Sequence, residues 1–490
     1  MASRLMPARL DGVLSGLTPA PRHHLLLAGV TVVLAVPQLY LLPRGSVDIS
    51  LATLVVVLLA PVVLLGVRGG AVRDLLRTGL FRLVLVLLVV RVLALAWSPD
   101  PRAGLQYITL LGQFAVTLLL MGLVAGEGRT ALRRLERWYW PLVLTEAALV
   151  ILFRLVPGLE DGYLRSVGGF FAGQNTVAAL FGDHPNNVLD PAKAGGFFIN
   201  ANVAAMFLGI NGLAALALAH LTGTRWVRLA GLAALATVPF TGSKSAIVLV
   251  LLLPAAAYGV HHLRRSTPAV RRYLLVAAAV AGAALVLLLV LNRGFLGALV
   301  EAFVGRAEIW RFGGEALRDH PVLGLGYGGW DAGFAGYADR HDMWRILPPH
   351  NILLGAWAVT GVVGLGLTVA YFVFTGRLVL RRRHATDERF VAYAGAALGW
   401  ILLQGLGENT DIFGDIHLIP IVSLLIVYLV RPVGEESKDR ASHPDRRDPA
   451  PPAVPPLGDV HRQPGPGDAD VPSAVRGPGR GAEPAGHGLG

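Results

Sequence analysis

The sequence predicts an all-α polytopic membrane protein with about twelve transmembrane helices. Apolar runs of about twenty residues recur along the chain, and stretches such as 51–67 and 274–291 are more apolar than a soluble amphipathic helix requires. Arginines gather in short loops after every second run: Arg68, Arg73 and Arg77; Arg129, Arg133, Arg134 and Arg137; Arg264, Arg265, Arg271 and Arg272; Arg381, Arg382 and Arg383. The composition agrees, with 54% hydrophobic residues, 15% charged residues and a mean hydropathy of +0.58.

The runs fall at 24–42, 47–67, 79–97, 103–125, 138–156, 196–220, 226–241, 244–260, 273–292, 350–376, 390–407 and 415–430. Arg4, Arg9 and Arg22 precede the first. No small-residue cleavage site and soluble domain follow it, so it reads as a retained span and not a signal peptide. The short pair 226–241 and 244–260 is divided only by Thr241, Gly242 and Ser243. An even span count with the N-terminus inside puts every arginine cluster in the cytoplasm, as the positive-inside rule demands.

This topology divides the chain into a cytoplasmic N-terminus (1–23), a transmembrane domain (24–431) and a tail (432–490). The tail is dominated by Pro, Gly, Asp and Arg and is expected to be disordered and cytoplasmic. Two extracytoplasmic loops, 157–195 and 293–349, are too long to be simple connectors. The second, between the ninth and tenth spans, carries Trp310, Trp330 and Trp344 and is expected to fold against the bundle.

Several function classes are disfavoured. The net charge of +11 is mostly a topology signal, so no nucleic-acid partner is expected. With no cysteine, disulfides, thiolate metal sites and a cysteine nucleophile are excluded. Gly324-x-Gly326-x-Gly328 has no βαβ unit around it and is not a nucleotide loop. Asp468-Ala469-Asp470 lies in the tail, and His23-His24 and His261-His262 lack the partners of a metal centre, so no metal site is expected.

The residues that could carry chemistry gather outside the membrane. Arg306 lies in what reads as a Gly-flanked turn, and guanidinium can bind phosphate oxygens at two points. Arg306 and Arg311 could clamp an anionic headgroup, or pair with Glu308 or Glu315 as ordinary loop arginines. His350 and Asn351 stand where a loop enters a helix. The positive end of the helix dipole there favours a neutral imidazole, which can accept a proton. The plainer alternative is an interfacial His350 beside an Asn351 that only caps the helix. Lys244 begins an apolar helix at the same face and could attract phosphate or reach for lipid headgroups. Arg91 and Glu146 are the clearest charges within spans, either functional or a structural pair. Glu408, Asn409, Asp411 and Asp415 cluster before the last span and could contact sugar hydroxyls or form a plain acidic loop.

The order of motifs resembles the O-antigen ligase and polymerase superfamily of polytopic glycan-transfer enzymes. The matching stretches are Ser98-Pro99-Asp100-Pro101, Gly196-Phe197-Phe198-Ile199-Asn200-Ala201-Asn202, Ser243-Lys244-Ser245, Arg306-Ala307-Glu308-Ile309-Trp310 and Pro321-Val322-Leu323-Gly324-Leu325-Gly326. They end with His350-Asn351 leading to Gly361-Val362-Val363-Gly364. The resemblance implies a GT-C-like architecture and a transferase needing neither metal nor cofactor. It implies transfer of a glycan from a polyprenyl-diphosphate carrier to a glycan or lipid acceptor outside the bacterial cytoplasmic membrane. Membrane lipids and other polysaccharide-assembly proteins are the implied surroundings. By position, His350 resembles the family's proposed base and Arg306 its diphosphate-binding arginine; Lys244 stands where the family usually has a second arginine. Lysine there offers a point charge in place of a two-pronged donor. A twelve-span secondary transporter for a small anion or sugar is the alternative function, and a scaffold within a polysaccharide-assembly complex a third.

Overall fold

The computed structural model describes residues 29–30, 33, 40–42, 49–66, 70–126, 128–156, 158–168, 180–181, 190–198, 200–272, 276, 291, 293–343, 347–382 and 387–431. A short antiparallel pair, β1 (Tyr40–Leu42) and β2 (Ile49–Ser50), precedes α1 (Leu51–Gly66) and α2 (Gly70–Arg77). Next come α3 (Gly79–Leu93), extended by a 3₁₀ turn to Trp97, then α4 (Pro101–Gly126), α5 (Arg129–Leu155) and the short α6 (Leu159–Tyr163). The chain continues through α7 (Ala201–Thr222), α8 (Arg225–Thr237), α9 (Lys244–Arg265), α10 (Arg293–Asp319) and α11 (Gly329–Arg340). It closes with α12 (Ile352–Arg382), α13 (Glu388–Gly405) and α14 (Ile419–Val430).

Among the described residues, five stretches are long and apolar enough to cross a membrane: Gly79–Trp97, Pro101–Gly126, Ala131–Leu155, Ala201–Thr222 and Ile352–Arg382. Three shorter apolar helices, Leu51–Pro61, Lys244–Gly259 and Ile416–Val430, accompany them. Almost all of the expected span at 273–292, most of that at 24–42, and the tail from 432 lie outside the described residues. The first predicted run also ends differently, because Tyr40–Leu42 is strand and not helix. Pro43 and Gly45, directly after it in sequence, both disfavour helix there.

At the centre stands α7, buried around almost its whole circumference by α5, α8 and α13. That is the expected fate of a helix apolar on every side. One polar contact ties it to α5 within the bundle, where the Tyr139 hydroxyl meets Asn211 Oδ1 at 2.5 Å. Helices outrun their predicted spans where charged turns continue them. α5 begins at Arg129, nine residues before the predicted 138. Its first turns are fixed by Arg133, which donates to the Thr222 carbonyl at 2.9 Å, and by Glu136, which accepts from Thr222 and Thr224. Hydropathy marks the apolar thickness and not the helix.

The stretch 293–349, expected as a long loop folded against the bundle, has helical structure of its own. It holds two helices, α10 and α11, whose apolar faces pack together with the start of α12. Ile309, Phe312 and Ala316 recur at helical spacing and pack with Trp330, Phe334, Tyr337 and Trp357. The Phe312 and Trp330 rings meet edge to face at 4.9 Å. After α10, three glycines with left-handed backbone, Gly324, Gly326 and Gly328, let the chain lie against α12 and the Ser98–Asp100 corner. α12 is kinked at Gly361, where φ is +66°. The freed Ala358 carbonyl accepts from the Leu325 and Gly326 amides, and the Val362 amide donates to Val322. A Cβ at Gly361 would lie 1.8 Å from the Val322 oxygen, so kink and glycine loop form one joint.

Two ends of the bundle are distinguished by what they tie together. At one, the end of α3 joins the start of α4 through the 323–328 loop, and the start of α12 joins the end of α13. At the other, Arg382 near the end of α12 donates to the Val430 carbonyl that ends α14, and Thr222 and Thr224 gather around Glu136. The candidate residues lie at the first end.

Candidate functional site

Arg306 sits inside α10 and not in a Gly-flanked turn as expected; Gly305 is simply a helical residue. The apolar stripe of α10 seats the helix, leaving the Arg306 side chain 24% exposed. One turn further on, Trp310 Nε1 donates to the Pro349 carbonyl at 3.1 Å, which ties Arg306's helix to the residue before His350. His350 has left-handed backbone, φ +46°, unusual for a residue with a side chain.

Asn351 caps α12 by accepting from the Leu353 and Leu354 amides at 2.9 and 3.1 Å. The cap is only half its role. Its amide nitrogen donates to the Leu406 carbonyl at 3.1 Å and so holds the α13–α14 loop against the start of α12.

That loop carries Glu408, a buried residue that unites the site. Glu408 Oε1 accepts from Arg306 Nη2 at 2.6 Å, while Oε2 lies 3.8 Å from His350 Nδ1. The second distance exceeds a hydrogen bond, and His350 Nδ1 is buried without a hydrogen-bond partner among the described residues. Arg306, His350, Asn351 and Glu408, four of the residues singled out from sequence, are therefore brought together.

Three residues along the same loop, Asp411 pairs with Arg91 of α3 through two contacts of 2.7 and 2.8 Å. Arg91 and Glu146 do not form the pair with each other that sequence allowed. Glu146, fully buried, accepts from the Phe197 amide at 2.7 Å instead. Arg311 is well exposed and pairs with Glu308 at 3.0 Å, one turn apart on α10. Glu308 also accepts from the Tyr337 hydroxyl at 3.2 Å. Lys244 opens α9 as its first residue. Its neighbour Ser243 donates to Asn202 Oδ1 at 2.6 Å, and the Asn202 carbonyl accepts from Gln404 at 3.0 Å. The starts of α7 and α9 are thereby tied to the end of α13.

Some residues escaped the sequence reading. His417 Nδ1 contacts Asp415, and its ring lies 4.3 Å from that of Phe198. Glu160, at the start of α6, accepts from the Gly195 amide at 2.6 Å. Burial raises its carboxyl to about 7, the hydrogen bond offsetting only part of that shift. The Asp-x-His spacing and the acidic start of α6 were visible, but nothing in the sequence gave their partners.

Fold and site together define a polytopic helical membrane protein with a guanidinium, an imidazole and a shared carboxylate at one end of its bundle. Residues 229–369 match the family model described as O-antigen ligase. The matched stretch contains Lys244, Arg306, Arg311 and His350 and bears out the resemblance seen in the motifs. No curated protein matches the chain.

Proposed function

We propose that this protein is a membrane glycan ligase or polymerase. It moves a saccharide from a polyprenyl-diphosphate carrier to an acceptor hydroxyl at the extracytoplasmic face of the bacterial cytoplasmic membrane. The observation that carries this reading is that Arg306 and His350, both in the stretch similar to O-antigen ligase, meet at Glu408.

The chemistry follows from the groups. Diphosphate is a good leaving group, so a strong general acid is not required. Arg306, with Lys244 and Arg311 as further candidate cations, offsets the charge that develops as the anomeric C–O bond breaks. His350 takes the proton of the acceptor hydroxyl as its oxygen bonds to the anomeric carbon. The electron pair of the broken bond leaves with the polyprenyl diphosphate. Trp310, Asn351 and the Gly361 joint fix the elements that carry these groups, and such positioning supplies much of the rate. The N- and C-termini and the arginine-rich loops are cytoplasmic in this reading, with the site end outside.

Purified full-length protein, a polyprenyl-diphosphate glycan and an acceptor test this. Wild type should form extended or ligated glycan and release polyprenyl diphosphate. Arg306→Ala and His350→Ala should each lose transfer by about 100-fold or more. Unchanged transfer by both variants would reject the site.

A further inference from the structure

Glu408 lies between two groups that the proposed transfer needs in different states. Its carboxylate is bonded to Arg306 at 2.6 Å, yet its second oxygen already faces His350 Nδ1 across 3.8 Å. The Glu408 side chain is only 10% exposed, so it cannot be left without a cation or a donor cheaply. His350 Nδ1, equally, is buried with nothing to bond among the described residues.

The backbones around these side chains are pinned to one another. Trp310, on Arg306's helix, holds Pro349 beside His350. Asn351, beside His350 on the other side, holds Leu406 two residues before Glu408. The segments are fixed while the carboxylate has two alternative partners within reach. Closing 3.8 Å to hydrogen-bond distance needs a shift of about 1 Å, which rotation of one side chain supplies.

We infer that Glu408 is a transferable counter-ion that couples donor binding to activation of the base. This rests on the transfer reading above. In the ligand-free state Glu408 neutralises Arg306. A diphosphate arriving at Arg306 displaces it, and the freed carboxylate accepts a hydrogen bond from His350 Nδ1–H. That bond fixes the tautomer in which Nε2 carries the acceptor lone pair. The same carboxylate then stabilises the imidazolium formed when Nε2 takes the acceptor's proton, in the manner of the aspartate of a catalytic triad. Glu408 is thus a positioning residue; it touches neither saccharide nor acceptor. The arrangement keeps His350 unarmed until a donor is in place and so disfavours idle proton transfer.

The test separates kcat from KM in the purified full-length protein. Glu408→Gln should lower kcat by about 100-fold while leaving the donor KM unchanged or lower, because a phosphate no longer has to displace an anion. Glu408→Asp, which keeps the charge, should show the same pattern with a smaller loss of kcat, and serves alone if the glutamine variant does not fold. A static pin predicts the opposite, a raised donor KM with kcat preserved per folded molecule, and that result would overturn the inference. Direct titration with glycan-free geranylgeranyl diphosphate gives an independent readout: Glu408→Gln should bind it at least as tightly as wild type, and weaker binding would overturn the exchange. If wild type transfers no glycan but this binding pattern holds, the transfer reading fails and the exchange stands. If wild type transfers glycan and Glu408→Gln keeps its kcat, the exchange fails and the reading stands.

Discussion

Arg91 and Asp411, 320 positions apart, meet fork to fork through contacts of 2.7 and 2.8 Å. Asp411 lies three residues beyond Glu408, which takes Arg306 from a different helix. One short loop is therefore strapped to α3 and to α10 by two arginines, and the geometry at His350 depends on that strap. The Arg91 and Asp411 side chains are 11% and 16% exposed, so removing one partner leaves the other charge stranded. Arg91→Ala should destabilise the protein by about 3 kcal/mol, read as a lower unfolding temperature in detergent. The Arg91→Ala/Asp411→Ala double variant should lose less than the sum of the two singles; strict additivity would show that the pair is not coupled.

His350 combines a reactive side chain with a strained backbone. At φ +46° a glycine fits more easily than histidine. His350→Gly should therefore leave unfolding stability within about 1 kcal/mol of wild type, because relief of strain offsets the added freedom of the unfolded chain. Transfer should nevertheless fall by about 100-fold or more. Parallel thermal melts and turnover measurements check this, and loss of both together would make His350 a structural residue.

Glu160 gives the protein a pH-dependent latch at the start of α6. Its carboxyl is raised by burial to about 7, above the ordinary glutamate value of about 4.3. The folded state thus holds a proton that the unfolded state has released between these two values. The contribution is complete below the ordinary value and is lost as pH rises through 7, so stability from this group falls with rising pH. Glu160→Gln keeps an acceptor for the Gly195 amide and should flatten stability against pH across pH 5–8. A slope identical to wild type would contradict this assignment.

Two arginines of α10, Arg306 and Arg311, should differ. Arg306 is half-buried and ion-paired to the buried Glu408, whereas Arg311 is 63% exposed and paired with Glu308 on its own helix. Arg306→Ala should impair donor use at least tenfold more than Arg311→Ala, about 1.4 kcal/mol in transition-state binding. Equal losses in kcat/KM would spread the anion site over both.

How much of this was legible in the sequence differs with the kind of information required. Apolar runs and arginine clusters located the long helices, because desolvation of twenty residues leaves a signal in composition alone. The starts and ends were less legible: Arg133 and Glu136 continue α5 with charged residues that hydropathy discards. α10 falls in a stretch read as loop, with Arg306 in a Gly-flanked turn, yet Ile309, Phe312 and Ala316 already carried the helical spacing. At the site, Arg306, His350, Asn351, Glu408, Arg91 and Asp411 were each visible as chemistry-bearing residues. Their pairing was not, since contacts between residues 306 and 408, or 91 and 411, are set by tertiary packing that no local pattern encodes.

The side of the membrane on which Arg306, Glu408 and His350 stand decides whether a lipid-linked donor can be used there. The chain contains no cysteine, so single cysteines report without background. His320→Cys, exposed near the site end, and Arg134→Cys, exposed at the other end, should be treated in intact cells with a membrane-impermeant maleimide. The account predicts that position 320 is labelled in intact cells and position 134 only after the membrane is opened. Labelling at 134 in intact cells, with 320 protected, would contradict it.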